Sequence, residues 1–149
     1  MDKKFPKVGM GVMIMRDNKV LLGLRQGSHG AGEWSFPGGH LDFGESLFTG
    51  IKREAMEETG LEIDDLEVVS VSDDFRYIKS DGKHHLTVGV RANSVEGESR
   101  IMEPNKCQEW RWFGLEELPE DLFEATETMI NNYKNNRLYK ENIDNYENH

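Results

Sequence analysis

The segment from Ser46 to Gly60 constrains this chain most, because it reads as one capped helix with two faces of opposite character. Ser46 can accept from the open backbone N–H groups of a first turn, and Gly60 stands where a left-handed carboxyl cap ends a helix. Between them Phe48, Ile51 and Ala55 form an apolar stripe, which has to be buried and is expected to anchor the helix on a sheet. Glu54, Glu57 and Glu58 follow i, i+3, i+4 spacing and share an adjoining face within about 100° of arc. Like charges at that spacing destabilise an isolated helix by roughly 0.2–0.5 kcal/mol per pair, and the helix dipole disfavours anions near its carboxyl end. A hard divalent cation offsets both effects, since Mg²⁺ is usually held by one or two carboxylates with phosphate oxygens and water. For three glutamates taken alone, a solvated acidic face is the plain alternative.

Two neighbours favour the metal reading. Gly50 stands one turn before Glu54 despite a cost of about 1 kcal/mol relative to Ala, which leaves room above the carboxylates. Arg53, one turn before Glu57 and within reach of Glu45, is suited to fixing a carboxylate's orientation with a planar fork that Lys lacks.

The surrounding pattern is strand-rich. Val8 to Met15 and Val20 to Leu24 are apolar runs separated by the turn formers Asp17 and Asn18, which predicts a β-hairpin. Gly27 to Gly39 holds five glycines and a proline in thirteen residues, a loop with room for a short strand at Trp34 to Phe36. Leu66 to Val71, Phe75 to Lys79 and His85 to Ala92 read as strands, the latter two joined by a turn at Ser80, Asp81 and Gly82. Trp110 to Phe113 reads as another, and Leu122 to Leu138 as a closing helix. Strands, helix, strands, helix is the order of an α/β sandwich with a mixed sheet between helices. One domain over 1–140 is expected, with a fraying tail at 141–149.

Charge and composition narrow the function. With 28 acidic against 18 basic residues the net charge is −10, so a nucleic-acid polymer is repelled over most of the surface. An anionic small molecule needs local positive charge, from Arg, Lys or a bound metal. The single cysteine, Cys107, excludes an internal disulfide, and the longest apolar run falls well short of the roughly 20 residues that cross a bilayer. With no secretion-like amino end, a cytoplasmic protein with no membrane partner is expected.

Read whole, Gly39-His40-Leu41-Asp42-Phe43-Gly44-Glu45 through Arg53-Glu54-Ala55-Met56-Glu57-Glu58-Thr59-Gly60-Leu61 resembles the Nudix box: a glycine, five residues, Glu, seven residues, then Arg-Glu-apolar-any-Glu-Glu-any-Gly-apolar. All nine fixed positions match over 23 residues, with Ala55 a smaller apolar occupant than usual. Val20 to Arg25, Gly27 to Gly32, Phe36 to His40 and Met102 to Cys107 through Trp110 are similar to the MutT-related nucleoside-triphosphate diphosphatases of that superfamily. The resemblance implies a Nudix α/β/α sandwich. It also implies metal-dependent cleavage of a nucleoside diphosphate linked to X, most directly a (deoxy)nucleoside triphosphate, oxidised ones included, to monophosphate and pyrophosphate.

By the same resemblance Gly39, Glu54, Glu57 and Glu58 hold Mg²⁺, with Mn²⁺ able to substitute. Glu54, Glu57 or Glu103 serves as base, and Arg53 and Glu45 orient the cluster. Arg25, His40, Gly38 and Gly39 meet the substrate. Some relatives of this branch place base-contacting and dimer-contacting groups in the last helix and tail, so a homodimer is a further partner to test. An ADP-ribose or nucleotide-sugar hydrolase is disfavoured because no proline lies between Leu61 and Glu103. A dinucleoside-polyphosphate hydrolase stays open through Tyr77. A silent nucleotide sensor would be expected to have lost box carboxylates, and none is missing. Of the adjacent His84 and His85, strand alternation lets at most one enter a site. Trp34 and Phe36 offer a stacking surface for a base, while Trp110 and Trp112 share one face and are expected to pack in the core.

Overall fold

The structure, a computed structural model, describes residues 4–27 and 29–141; of the tail expected to fray, all but Glu141 lies outside the described residues. Ten elements follow in order: β1 (Lys7–Arg16), β2 (Lys19–Arg25), β3 (Trp34–Ser35), β4 (Gly38–His40), α1 (Leu47–Thr59), β5 (Glu62–Asp74), α2 (Ile78–Asp81), β6 (His85–Glu96), β7 (Cys107–Gly114) and α3 (Glu124–Lys134). The predicted hairpin forms, with Asp17 and Asn18 both at positive φ in a two-residue turn that pairs Arg16 with Lys19. Ser46 and Gly60 cap α1 as expected, the glycine at φ 75° donating its N–H to the Met56 carbonyl.

The sheet is mixed, running β3-β2-β1-β6-β5, with β4 added on β1 and β7 on β2. β1 is the axis: it pairs antiparallel with β2 and β4 and parallel with β6. Alternation along β1 sends Met10, Val12 and Ile14 to one face, where they pack with Ile51 and Ala55 of α1. Met13 goes to the other, among Phe36, Met129 and Ile130. The helices therefore cover opposite faces, giving the α/β/α sandwich that the pattern and the resemblance imply.

Three expectations need correction. Phe75 to Lys79 is not a strand: β5 ends at Asp74, and Phe75 to Asp81 turn through a short helix whose cap, Gly82 at φ 64°, reverses the chain into β6. The alternation of Phe75 with Tyr77 comes instead from a turn that sends Phe75 against His84 and Tyr77 against His29. Phe48 does not anchor α1, being 40% exposed; Leu47 packs on the core in its place. The closing helix is also shorter than Leu122 to Leu138, because Leu122 bridges to Trp34 beside β3 and the chain after Asn135 folds back. There the amide of buried Asn132 donates to Ser70 Oγ and the Leu138 carbonyl, while its Oδ1 accepts from Arg137.

Candidate functional site

β4 is only three residues long, so at its end the sheet stops and α1 stands beside an opening. Here a cleft of about 740 Å³ runs from the carboxylate corner of α1, around β4, onto the α3 side of the sheet. The sequence explains the corner. Gly39 has no side chain because a Cβ there would lie 2.4 Å from the Glu54 carboxylate, and its neighbour Gly38 has none because a Cβ would strike the Met10 carbonyl oxygen of β1. The pair thus lets β4 pack on β1 and lets Glu54 press against the backbone at Gly39.

Arg53 organises one half of the acidic cluster. Its Nε and Nη2 donate to the two oxygens of Glu45 at 3.0 and 2.7 Å, Nη1 donates to Glu54 at 3.0 Å and to Glu57 at 3.2 Å, and Nη2 also reaches the His40 carbonyl. The expected fork is therefore present, and it ties α1 to β4 as well. Room left by Gly50 is taken by the Glu45 carboxylate and Met10, so the glycine serves the Arg53–Glu45 pair rather than the space above Glu54. The Arg53 fork and the Asp42 N–H hold the Glu45 carboxyl down to about 2, well below the usual range.

Glu58 has no such partner. Among the described residues its Oε2 accepts only from the Gly38 N–H, at 2.9 Å, and burial, with the Glu54 and Glu103 charges adding, pushes its carboxyl up to about 8. Glu54 is raised too, burial outweighing the lowering effect of Arg53. Among the described residues no three His, Cys, Asp or Glu side chains already converge as a metal cage. The chemistry of the donors nevertheless fits a hard cation: oxygen ligands only, beside a glycine backbone, with the Glu58 carboxyl forming no ion pair among the described residues. Glu54, Glu58 and Glu103 line the cleft, whereas Glu57 does not and is exposed on the Arg53 side.

Opposite charge enters the cleft from β2. Arg25 makes no ion pair among the described residues. Its Nε donates to the His29 carbonyl, Nη1 to Ser35 Oγ at 3.4 Å, and its guanidinium lies 4.0 Å from the centroid of Phe123. Burial lowers its pKa from the ordinary arginine value. Gly38, Gly39 and His40 also line the cleft, so the residues expected to meet substrate are brought together. Phe36 is buried and lines it; Trp34 instead packs edge-on to Phe113. Trp112 and Trp110 pack against the α1-side core as expected, and Trp110 also borders the cleft.

Sequence reasoning missed the floor. Gly9 and Gly11 of β1, Thr87 of β6 and Met129 of α3 line the cleft's sheet side, and only the parallel register of β1 with β6, Gly9 opposite Thr87, brings them together. The regular spacing of Gly9 and Gly11 was the available signal, since it leaves one face of β1 bare. Of the two histidines His85 enters the cleft and His84 packs on Phe75.

Comparison with known proteins agrees with this geometry. Residues 5–133 match the NUDIX domain model. The oxidized purine nucleoside triphosphate hydrolase of Mus musculus is 32% identical over 109 residues, 72% of this chain and 66% of its own length. An ADP-ribose pyrophosphatase of Methanocaldococcus jannaschii is 30% identical over 130 residues, 86% of this chain and 73% of its own. Among solved structures, a MutT Nudix hydrolase from Burkholderia pseudomallei superposes with a TM-score of 0.81 at 32% identity, over 87% of this chain and 98% of that one. No helix among the described residues is long and apolar enough to cross a membrane. With the domain match spanning nearly the whole described chain and Gly39, Glu54 and Glu58 of the box lining one cleft, this chain belongs to the Nudix family of hydrolases.

Proposed function

We propose that this protein hydrolyses nucleoside or deoxynucleoside triphosphates, oxidised purine forms included, to the monophosphate and pyrophosphate. One observation carries the reading: Glu58 and the half-buried Arg25, neither of which forms an ion pair among the described residues, open on the same cleft close enough for their charges to interact. A polyphosphate bound with divalent metal satisfies both ends. The mouse relative, named for oxidised purine triphosphates, supports the substrate class.

Gly39, Glu54, Glu57 and Glu58 would hold Mg²⁺, for which Mn²⁺ can substitute. When bound, the metal polarises phosphoryl oxygens and lowers the pKa of bound water. The chain does the rest. Arg25 and His40 orient the phosphates beside Gly38 and Gly39, which line the same cleft. Glu54, in the cleft and already raised in pKa, accepts the proton of the attacking water, with Glu103 the second candidate. Arg53 and Glu45 fix Glu54 and the loop before α1.

The test is a turnover screen with Mg²⁺ across triphosphates, oxidised triphosphates, ADP-ribose, nucleotide sugars and dinucleoside polyphosphates. Products are identified by mass spectrometry after hydrolysis in ¹⁸O water. Pyrophosphate with monophosphate from a triphosphate is expected, the label showing which phosphorus is attacked. Primary release of orthophosphate from the γ position, or a kcat/KM ranking led by ADP-ribose, overturns the reading.

A further inference from the structure

We propose that the His40–His85 pair and Lys83 form a subsite for the terminal phosphate of a polyphosphate, which selects triphosphates over diphosphates. This rests on the triphosphate reading above and adds to it a binding site beyond the fixed positions of the box.

The site is built by strand register. Parallel pairing sets Lys7 of β1 beside His85 of β6, and antiparallel pairing sets His40 of β4 beside Gly9 of β1. Gly9 thus lies between the two histidine-bearing strands. A Cβ there would come within 3.0 Å of Thr87 Oγ1 and 3.9 Å of His85 Cδ2. With that space clear, His40 and His85 meet across the strand, Nε2 to Nε2 at 2.8 Å. Their planes are parallel to 4° with centroids 4.9 Å apart. The centroid separation exceeds the nitrogen separation by nearly two ring radii, so the parallel rings meet edge to edge through their Nε2 atoms in an N–H···N hydrogen bond.

The tautomers follow. One ring donates Nε2–H, and the ring that accepts, when neutral, carries its proton on Nδ1. Neither Nδ1 has a hydrogen-bond partner among the described residues, so the pair keeps one Nδ1–H to offer, on whichever ring accepts. Lys83 lines the same cleft with His40 and His85, and neither it nor Lys7 forms an ion pair among the described residues. Asp74, opposite His85 on β5, and Asp42, near His40, are the acids that face the pair. Asp42 is itself 3.4 Å from Arg53, and Asp74 accepts from the Arg76 N–H. In a chain of net charge −10, an unpaired Lys83 and a histidine-pair donor on one rim, with Lys7 next to His85 in register, describe a place for an anion.

The experiment compares His85→Ala, Lys83→Ala and the double variant with the parent, folding being checked by thermal melting. kcat/KM is measured for a deoxynucleoside triphosphate and the diphosphate of the same base. Binding of inorganic tripolyphosphate and of pyrophosphate is measured by calorimetry in excess Mg²⁺. The preference for the longer anion is expected to fall about tenfold in each assay, the size of one charge-assisted hydrogen bond. An unchanged preference, or equal losses for both lengths, overturns the subsite. If the parent fails to turn over triphosphate yet shows a tripolyphosphate preference that depends on His85, the subsite stands and the proposed substrate falls. Absence of that preference in the parent overturns the subsite too.

Discussion

Glu45 and Glu58 belong to the same motif and the same corner of the fold, yet they are held by opposite forces. Glu45 sits in the fork of Arg53, its charge matched oxygen by donor, and its carboxyl is held down to about 2. Glu58 sits under the end of β4 with one backbone N–H for company, and burial lifts it to about 8. The first half of the cluster is complete as folded. The second is left incomplete: burial holds the Glu58 carboxyl in its protonated form, and a group in a cleft that a cation would convert to its charged form is a place where binding energy from a ligand can be used.

The largest way to break this comparison is Glu58→Gln. Loss of an outer partner to a metal ligand typically costs about 10–100-fold in metal affinity or activity, so removing a ligand itself is expected to cost hydrolysis at least about 100-fold. The same change should stabilise the metal-free protein. In the parent the folded state keeps the Glu58 proton from pH 4.5 up to about 8 while the unfolded state releases it near 4.5. The folded state therefore binds more protons in that window, and stability declines as pH rises through it. Melting of chelated protein should show this decline in the parent and a flatter profile with a higher Tm at pH 8 in Glu58→Gln. Adding Mg²⁺ should restore the parent alone. Near-parental turnover in Glu58→Gln, or a chelated parent with full activity, would remove the metal role from this half of the cluster.

What was legible beforehand follows the same division. α1 could be read closely because its caps, stripe and acidic face are local, and Ser46, Ile51, Ala55 and Gly60 all sit where periodicity puts them. The Arg53–Glu45 contact was within reach for the same reason, lying eight residues apart across one loop. The cleft floor was not legible. It depends on β1 meeting β6 in parallel, residues nearly eighty apart in sequence, and no local pattern encodes that partnership. Phe75 to Lys79 failed for a different reason: aromatic alternation in a turn imitates a strand, and the reversal read at Ser80, Asp81 and Gly82 begins earlier, right after Asp74. Phe48 shows that an apolar residue in the first turn of a helix can lie beyond the sheet's edge, with its neighbour Leu47 facing inward.

A smaller effect separates shape from charge in the complete half. Arg53→Lys keeps the positive charge but replaces a planar fork with a point donor. Glu45, Glu54, Glu57 and the His40 carbonyl cannot all be served by it. We expect kcat to fall about 10–100-fold, as for other residues that orient a ligand, with KM and Tm changing far less. Measuring the thermal midpoint and the kcat–KM split on the same preparation decides the matter: an activity loss that tracks unfolding would make Arg53 a structural residue only.

The smallest effect concerns Glu45 itself and tests the sign of its side of the comparison. Because its folded pKa is depressed, the stability it contributes is present above the unfolded value of 4.5 and is lost as pH falls through about 2. At neutral pH Glu45→Gln should therefore melt slightly below the parent, since a neutral amide keeps the shape but accepts more weakly from a guanidinium. The gap should narrow steadily as pH drops from 4.5 toward 2, where the parent's carboxyl takes up its proton and the two side chains become alike in charge. This is the reverse of the Glu58 profile, which slopes at higher pH and in the opposite direction. A gap that stays constant down to the lowest pH at which both proteins fold would mean that Glu45 acts through packing against Gly50 and Met10. The charge of the Arg53 pair would then contribute nothing to the fold.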